Sequence, residues 1–541
     1  MAPLSPASGG GYPQPRSGEG ACPTSSLRSA SSPARLDVRL VPAALTSWVV
    51  TAAGIWWPIG NIVGSVCAVA GLSGGLLWRA AHRRPRMRAI GIGLVAAGVV
   101  GAGFGFAIAL RASAVAHHRI TTAFGTATEV AVTPTESAVS VGHGHLMFRG
   151  TLRRLGDDES GGLVVVFAPA RDFTAVMAGQ PVRFRARITA PTRHDLTVAV
   201  VNAIGAPTMG RAGLVHRAAY AVRAEFAATA RRVLPADEAA MLPALVLGDT
   251  STVTPVINQE FRTAGLTHLT AVSGANVTIV CGAVLFSSRL IGPRAAVGLA
   301  GLALVLFVIV VQPTASVLRA AVMGAIALMG VLSSRRRQAI PALSATVLLL
   351  MIVAPQLAVD VGLALSVVAT AALVAIAPIW SRRLVAGGWP KPLADAVCVA
   401  CAAQLVTAPL IAGISGRVSL VSAAANLAVE VLIAPITVLG SAAGALCLFW
   451  PAGAQLLIRF TGPELWWLLR IAHWAASVPA ASVPVPSGIS GVVAVGATGL
   501  LAVLLWRWRW FRAAMAVAAG ALLAWSLSGL LLGVGGSVGP T

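Results

Sequence analysis

One stretch gathers groups that hydrocarbon normally excludes. From Gly265 to Val277 the chain reads Gly-Leu-Thr-His-Leu-Thr-Ala-Val-Ser-Gly-Ala-Asn-Val, so His268, Ser273 and Asn276 stand with Gly265 and Gly274 at the mouth of a long apolar region. Imidazole, hydroxyl and amide groups donate and accept hydrogen bonds, and glycine lets helices approach closely. Such side chains are costly at bilayer depth and are kept mostly for ion, proton or substrate paths. Upstream stand Leu247-Gly248-Asp249 and Phe261-Arg262. Downstream, Ser316 and Arg319 lie three apart and share a helix face. A guanidinium inside an apolar helix must face water, a partner or an anion such as a phosphate, or else snorkel to the outer interface. Asp360, followed by Ser366, either caps a helix or pairs with Arg319 or Arg262. Asn426 and Glu430, four apart, share a face, and a carboxylate in a span must be neutralised, paired or turned to a cavity.

The elements that position these groups are apolar helices. Of 541 residues 57% are hydrophobic and 11% charged, against about a quarter charged in a soluble domain. Apolar runs of about 20 residues recur along nearly the whole length, the mark of a polytopic α-helical integral membrane protein with about 11–13 spans. The net charge of +22 does not by itself imply nucleic acid. Its arginines cluster in short loops, at Arg79–Arg88, Arg335–Arg337, Arg382–Arg383 and Arg507–Arg512, as expected on a cytoplasmic face. The cysteines lie mostly in apolar runs, and Cys398-x-x-Cys401 reads as small buried hydrophobes rather than a redox pair.

Residues 1–34, rich in Ser, Pro and Gly, read as a disordered cytoplasmic tail. Residues 35–110 read as three spans, 209–239 as an interfacial amphipathic helix with a Leu214, Ala218, Val222, Phe226 stripe, and 240–541 as a membrane core. Within that core, two short spans near 417–433 and 436–450 are broken by Pro435 and Gly440, and 463–480, with Trp466, Trp467 and Trp474, reads as a surface helix at the outer interface. Residues 111–208 differ. Alternating runs at 146–155, 163–168, 182–188 and 196–204 are separated by Gly, Asp and Pro clusters, which predicts a small extracytoplasmic all-β domain, OB-like in length. Arg183, Arg185 and Arg187 fall on one strand face, either a basic groove for a single strand or an ordinary solvated face. His117-His118 and His143-Gly144-His145 lack the further ligands of a metal site, so neither a metal nor another cofactor is expected.

Four ordered elements resemble the ComEC family, the inner-membrane DNA channels of bacterial competence. They are Leu247-Gly248-Asp249 with the 261–277 stretch, Pro313-Thr-Ala-Ser316-Val-Leu-Arg319-Ala-Ala-Val-Met323, Asp360-Val-Gly-Leu-Ala-Leu-Ser366, and the region of Pro409, Gly416, Asn426, Glu430 and Pro435. Asn276 stands where the family has histidine, Leu363 where Phe is usual, and Ala275 where a bulkier residue is usual. The resemblance covers the N-terminal spans, the OB-like domain and the core, without the metallo-β-lactamase-like nuclease domain that many members carry. It implies a channel, not an enzyme, that passes single-stranded DNA across the cytoplasmic membrane during competence and transformation. Asp249, Arg262, His268, Ser273, Gly274, Asn276, Ser316, Arg319, Asp360, Ser366, Asn426 and Glu430 would line its path, and the three barrel arginines would bind DNA outside. Expected partners are the lipid bilayer, an outer DNA receptor, a cytoplasmic motor ATPase, a separate nuclease and a second copy in a homodimer. The alternative is a transporter or exporter of a small molecule or a lipid-linked polymer.

Overall fold

The computed structural model describes residues 37–81, 84–142, 144–272, 274–332 and 339–517, with 520, 521 and 524. The expected N-terminal tail, Arg335–Arg337, His143 and Ser273 lie outside the described residues, as does most of a span expected at 512–532.

Three helices open the described chain: α1 (Val41–Trp56), α2 (Gly60–Ala80) and α3 (Pro85–Ala116). Strands β1 (Ala127–Pro134), β2 (Val139–Gly142), β3 (His145–Leu155) and β4 (Asp158–Pro169) follow, then the single turn α4 (Ala170–Phe173), β5 (Val182–Thr189) and β6 (Thr197–Met209). The core contains α5 (Leu214–Val233), α6 (Ala236–Leu247), α7 (Pro255–Ala264), α8 (Gly274–Ser287), α9 (Pro293–Val311), α10 (Ala315–Leu332), α11 (Ala339–Val353), α12 (Val361–Ala375), α13 (Ala377–Ala386) and α14 (Lys391–Ser415). After β7 (Arg417–Ser419) come α15 (Ser422–Leu446), α16 (Pro451–Phe460) and α17 (Gly462–Ser477), then β8 (Ser482–Pro484), which pairs antiparallel with β7, and α18 (Ile489–Leu505).

Among the described residues six helices are long and apolar enough to cross a membrane: α2, α3 with its following turn, α9, α12 with α13, α14 and α15. A seventh results if α18 and the segment Arg509–Val517, bent by 115°, form one span. The apolar helices α1, α8, α10 and α11 are shorter. Among the described residues the apolar runs thus yield six or seven helices of full length and four shorter ones, with irregular backbone in part of several runs. The run beginning at 268 holds a 3-10 turn at Thr267–Leu269 before α8 starts at Gly274, and a 3-10 turn at Pro355–Val359 precedes α12. The opposite holds at 417–450. Pro435 and Gly440 were expected to divide it into two short spans, but α15 runs unbroken through both. A helix-interior proline removes only one backbone donor, and packing tolerates it here.

α2 and α3 meet along a glycine seam. A Cβ at Gly98 would come within 2.6 Å of Gly71 N and 2.7 Å of Cys67 O, and one at Gly105 within 2.8 Å of Gly64 N. Backbone on both sides cannot yield, so the absence of a side chain sets the helix spacing. On α17, Trp466 and Trp467 are exposed while Leu465, Leu468 and Ala472 are buried, and Arg470 lies 5.4 Å from the ring centroids of Trp466 and Trp474. α17 is thus amphipathic, with its apolar side against the core and its tryptophans on the surface.

The six strands form one sheet in the order β1-β5-β6-β4-β3-β2, and a further β1–β3 pairing closes five of them into a small barrel with β2 at the rim. β4 and β6 run parallel and every other pair is antiparallel. Phe148, Phe173 and Phe184 fill the interior, with Phe173 5.2 Å from Phe184 edge-to-face. Each buried aromatic contributes about 2 kcal/mol.

The glycine seam yields a contrast. Gly98→Leu forces the two backbones apart and is expected to cost about 1–3 kcal/mol, read as a lower unfolding temperature and a poorer yield of monodisperse protein. Gly93→Leu, where an added Cβ meets nothing within 4 Å, should leave both unchanged; equal effects at the two positions would refute the seam.

Candidate functional site

The site is built on α10. Gln312, at φ +77°, Pro313 and Thr314 separate this helix from α9, and the Thr314 hydroxyl accepts a hydrogen bond from Val317 N at 3.4 Å. Val317, Ala320 and Leu328 pack into the cluster around α5–α9 and α15–α17, whereas Ala315, Leu318, Val322 and Met323 pack into the one around α1, α11 and α12. The helix is therefore the wall between two apolar bodies, and Arg319 sits in it, 7% exposed. It does not snorkel. Its Nη1 donates to Thr370 Oγ1 at 3.1 Å and lies 3.3 Å from Met323 Sδ. Thr370 in turn donates to the Ser366 carbonyl at 2.8 Å. A side chain at Gly274 would meet Nη2 at 2.9 Å, so glycine at this position makes room for the guanidinium. Nε is buried without a hydrogen-bond partner. Elements separated by about 90 residues in sequence thus meet at one charge: Gly274, Arg319 and the turn from Ser366 to Thr370.

A second buried arginine holds the neighbouring turn. α6 ends at Leu247, with Gly248 in the left-handed conformation at φ +70° and Asp249 N donating to Pro243 O, a glycine-terminated helix end. Arg223 of α5 donates through Nη1 to Leu247 O at 3.2 Å, Val310 O at 3.2 Å and Val311 O at 3.4 Å. Its Nη2 lies 3.6 Å from Asp249 Oδ2. One guanidinium therefore joins the C-terminal carbonyls of α6 and α9 to the carboxylate of the Leu-Gly-Asp element. Burial pushes its pKa below the ordinary arginine value, and Asp249 opposes that shift. Asn276 ties the same region to α8, donating through Nδ2 to Leu245 O at 3.0 Å from a buried position. Arg223 was not expected at the site. Its signal was its place on α5, where Arg223, Phe226 and Ala230 form a buried stripe with an arginine in it. Of the expected apolar stripe, Phe226 is buried against the core and Leu214 is 76% exposed.

The remaining candidates divide. Asn426 donates to Ser422 Oγ at 3.2 Å, and that hydroxyl donates to Gly265 O at 3.4 Å, which links α15 to the first element. Glu430, one turn on, is exposed. Asp360 accepts from Leu363 N at 2.9 Å and caps α12; among the described residues it pairs with neither Arg319 nor Arg262. Arg262 and His268 are exposed, and Ser316 is half-buried one turn before Arg319.

In the barrel Arg183, Arg185 and Arg187 are all exposed while Val182, Phe184, Ala186 and Ile188 point inward. Arg185 stands opposite Glu129 on β1, which offsets part of that positive face. The barrel grips the core at Gln312, whose Oε1 accepts from Ser137 N at 2.9 Å and whose Nε2 donates to Ser137 Oγ at 2.8 Å. Leu196, in the β5–β6 loop, packs on the apolar cluster of α1, α11 and α12.

If Arg223 joins these two helix ends, Arg223→Gln should destabilise the solubilised protein by roughly 3 kcal/mol, as expected when one member of a buried pair is removed. Asp249→Asn, at 3.6 Å and partly exposed, should cost less. Thermal unfolding of both variants checks the order, and a reversed order would displace Arg223 from its place as the centre of the junction.

Residues 245–510 match the family model described as Competence protein. No curated protein and no solved structure matches the chain. The matched region contains Asn276, Arg319, Asp360 and Asn426, together with the buried contacts of Arg319, and over this region the chain is similar to the competence-protein family.

Proposed function

We propose that this protein passes single-stranded DNA across the cytoplasmic membrane during DNA uptake. The match of residues 245–510 to the competence-protein family supports a role in DNA uptake, and the observation that carries the finer reading is Arg319. Its Nε has no partner, and Gly274 places no side chain against Nη2. Nε and Nη2 form the edge of a guanidinium that grips two phosphate oxygens at once. The family match and the apolar helices suit a membrane protein. In the proposed orientation the arginines of the α2–α3 loop face the cytoplasm, and the barrel after α3 lies outside.

We read the barrel as OB-type. Five strands closed through β1–β3, with one parallel pair between the third and fifth of them, support this. Its β1–β2 turn rests on Gln312, three residues before α10, so a strand held there would meet the helix that carries Arg319. The cavity between Asn276, Leu245 and Ile436 holds about 20 Å³, room for one water. Passage there requires α6, α8 and α15 to separate, and the energy for it would come from a cytoplasmic motor or the proton gradient.

Two outcomes are expected. Uptake of labelled DNA into the cytoplasm should vanish in a deletion strain and stay at least about tenfold low with Arg319→Ala at normal protein level, while Arg319→Lys, which keeps the charge but loses the two-pronged edge, restores part of it. Unchanged uptake in the deletion strain would overturn the DNA reading in favour of a small-molecule or polymer transporter. Replacing Arg183, Arg185 and Arg187 together with Gln should weaken single-strand binding by the purified protein and flatten its log–log salt slope by about 2, at ~0.7 per phosphate contact. An unchanged slope would mark that face as merely solvated.

A further inference from the structure

A cleft of about 280 Å³ opens between α1, α3 and α11, far in sequence from the Arg319 site. It approaches the lower end of ligand-sized pockets, roughly 300 Å³. One side is a row at helical spacing on α3: Val99, Gly103, Ala107 and Arg111. The two small residues make the groove, and the row rises about 18 Å from Val99 to Arg111. An added Cβ at Gly103 would meet nothing within 4 Å, so the space beside it is open. At the end of the row, Arg111 donates one hydrogen bond to Ile352 O at 3.2 Å, which leaves most of its five donors for another acceptor. The floor adds an independent signal. Thr51 lines the cleft and is 1% exposed, yet its hydroxyl has no hydrogen-bond partner. Buried hydroxyls normally find one, most simply the carbonyl four residues back in the helix.

We propose that this cleft holds one anionic phospholipid, its acyl chain along Val99–Ala107, its phosphate on Arg111 and an ester or phosphate oxygen accepting from Thr51. An apolar trough about 12 Å long, from Val99 to Ala107, suits an alkyl chain better than a folded polar solute. A cation at one end selects an anionic headgroup, and the orphan hydroxyl needs an acceptor, which a hydrocarbon tail alone does not supply. The inference rests on the membrane placement of α3 and not on DNA passage, so either can fail without the other.

The test uses the full-length protein extracted from membranes, delipidated in mild detergent, and exposed to phosphatidylglycerol or phosphatidylcholine, with bound lipid counted by native mass spectrometry. Wild type is expected to retain phosphatidylglycerol in preference to phosphatidylcholine. Arg111→Gln should lower retention of the anionic lipid about tenfold, as expected for loss of a charge-assisted contact. Gly103→Leu, which fills the groove and leaves the headgroup site intact, should remove the bound lipid while the protein still elutes as a folded species. Equal retention of the two lipids by wild type would overturn the headgroup assignment. Retention unchanged in either folded variant would overturn the site, and if one variant fails to fold, the other decides.

Discussion

A guanidinium cannot be stripped of water and left without acceptors, and the core is arranged around two that have lost theirs to burial. They are treated differently. Arg223 reaches three backbone carbonyls and a carboxylate, and those carbonyls belong to two helix ends with no further helix turn to receive their bonds. Four acceptors surround it, and what it does is hold α6 against α9. Among the described residues Arg319 has a hydroxyl and a thioether, with one nitrogen unsatisfied. A charge so poorly matched stabilises nothing by itself. The surrounding structure bears its cost, through Gly274, which keeps space for it, and Thr370, which is itself held by Ser366. The arginine with four acceptors builds the frame, and the one with an unpartnered Nε is the group with bonding capacity left for a transient anion.

Gln312 lies between them. Its backbone N–H closes the last turn of α9 on Val308 O, its side chain grips Ser137 of the barrel, and Pro313 after it restricts its backbone. It adopts φ +77° and ψ 148°, a region that residues with side chains rarely enter and that costs about 1–3 kcal/mol. Such a conformation persists only where its surroundings over-determine it. Two side-chain hydrogen bonds to the barrel and the Arg223 contacts to Val310 and Val311 supply that determination. Frame, barrel and the start of the Arg319 helix are thus joined within a few residues.

The sequence was legible where one rule acted alone. Period-two alternation located β3 to β6, because each strand has one face in the barrel interior. β1, with Thr, Glu and Pro among its eight residues, showed too little alternation to be seen, although it closes the barrel. Hydropathy located the helices but not their ends, since an index of apolarity cannot distinguish helix from the turns before α8, α10 and α12. Spacing placed Ser316 and Arg319 on a shared face but could not say which would be buried.

What the sequence could not carry was partnership across the fold. The carbonyls that fix Arg223 and Asn276 belong to Leu245, Leu247, Val310 and Val311, whose side chains say nothing of the bonds their backbones accept. Backbone acceptors become available only at helix ends or at irregular turns, and those ends are set by Gly248 and by Gln312-Pro313, which sequence alone marks as punctuation. Gly274 shows the same limit from the other side: its function is the absence of an atom, and it acquires meaning only once Arg319 is seen occupying the space. The polar side chains were recognisable as a group because hydrocarbon makes them expensive; their roles separated only when the number of acceptors around each could be counted.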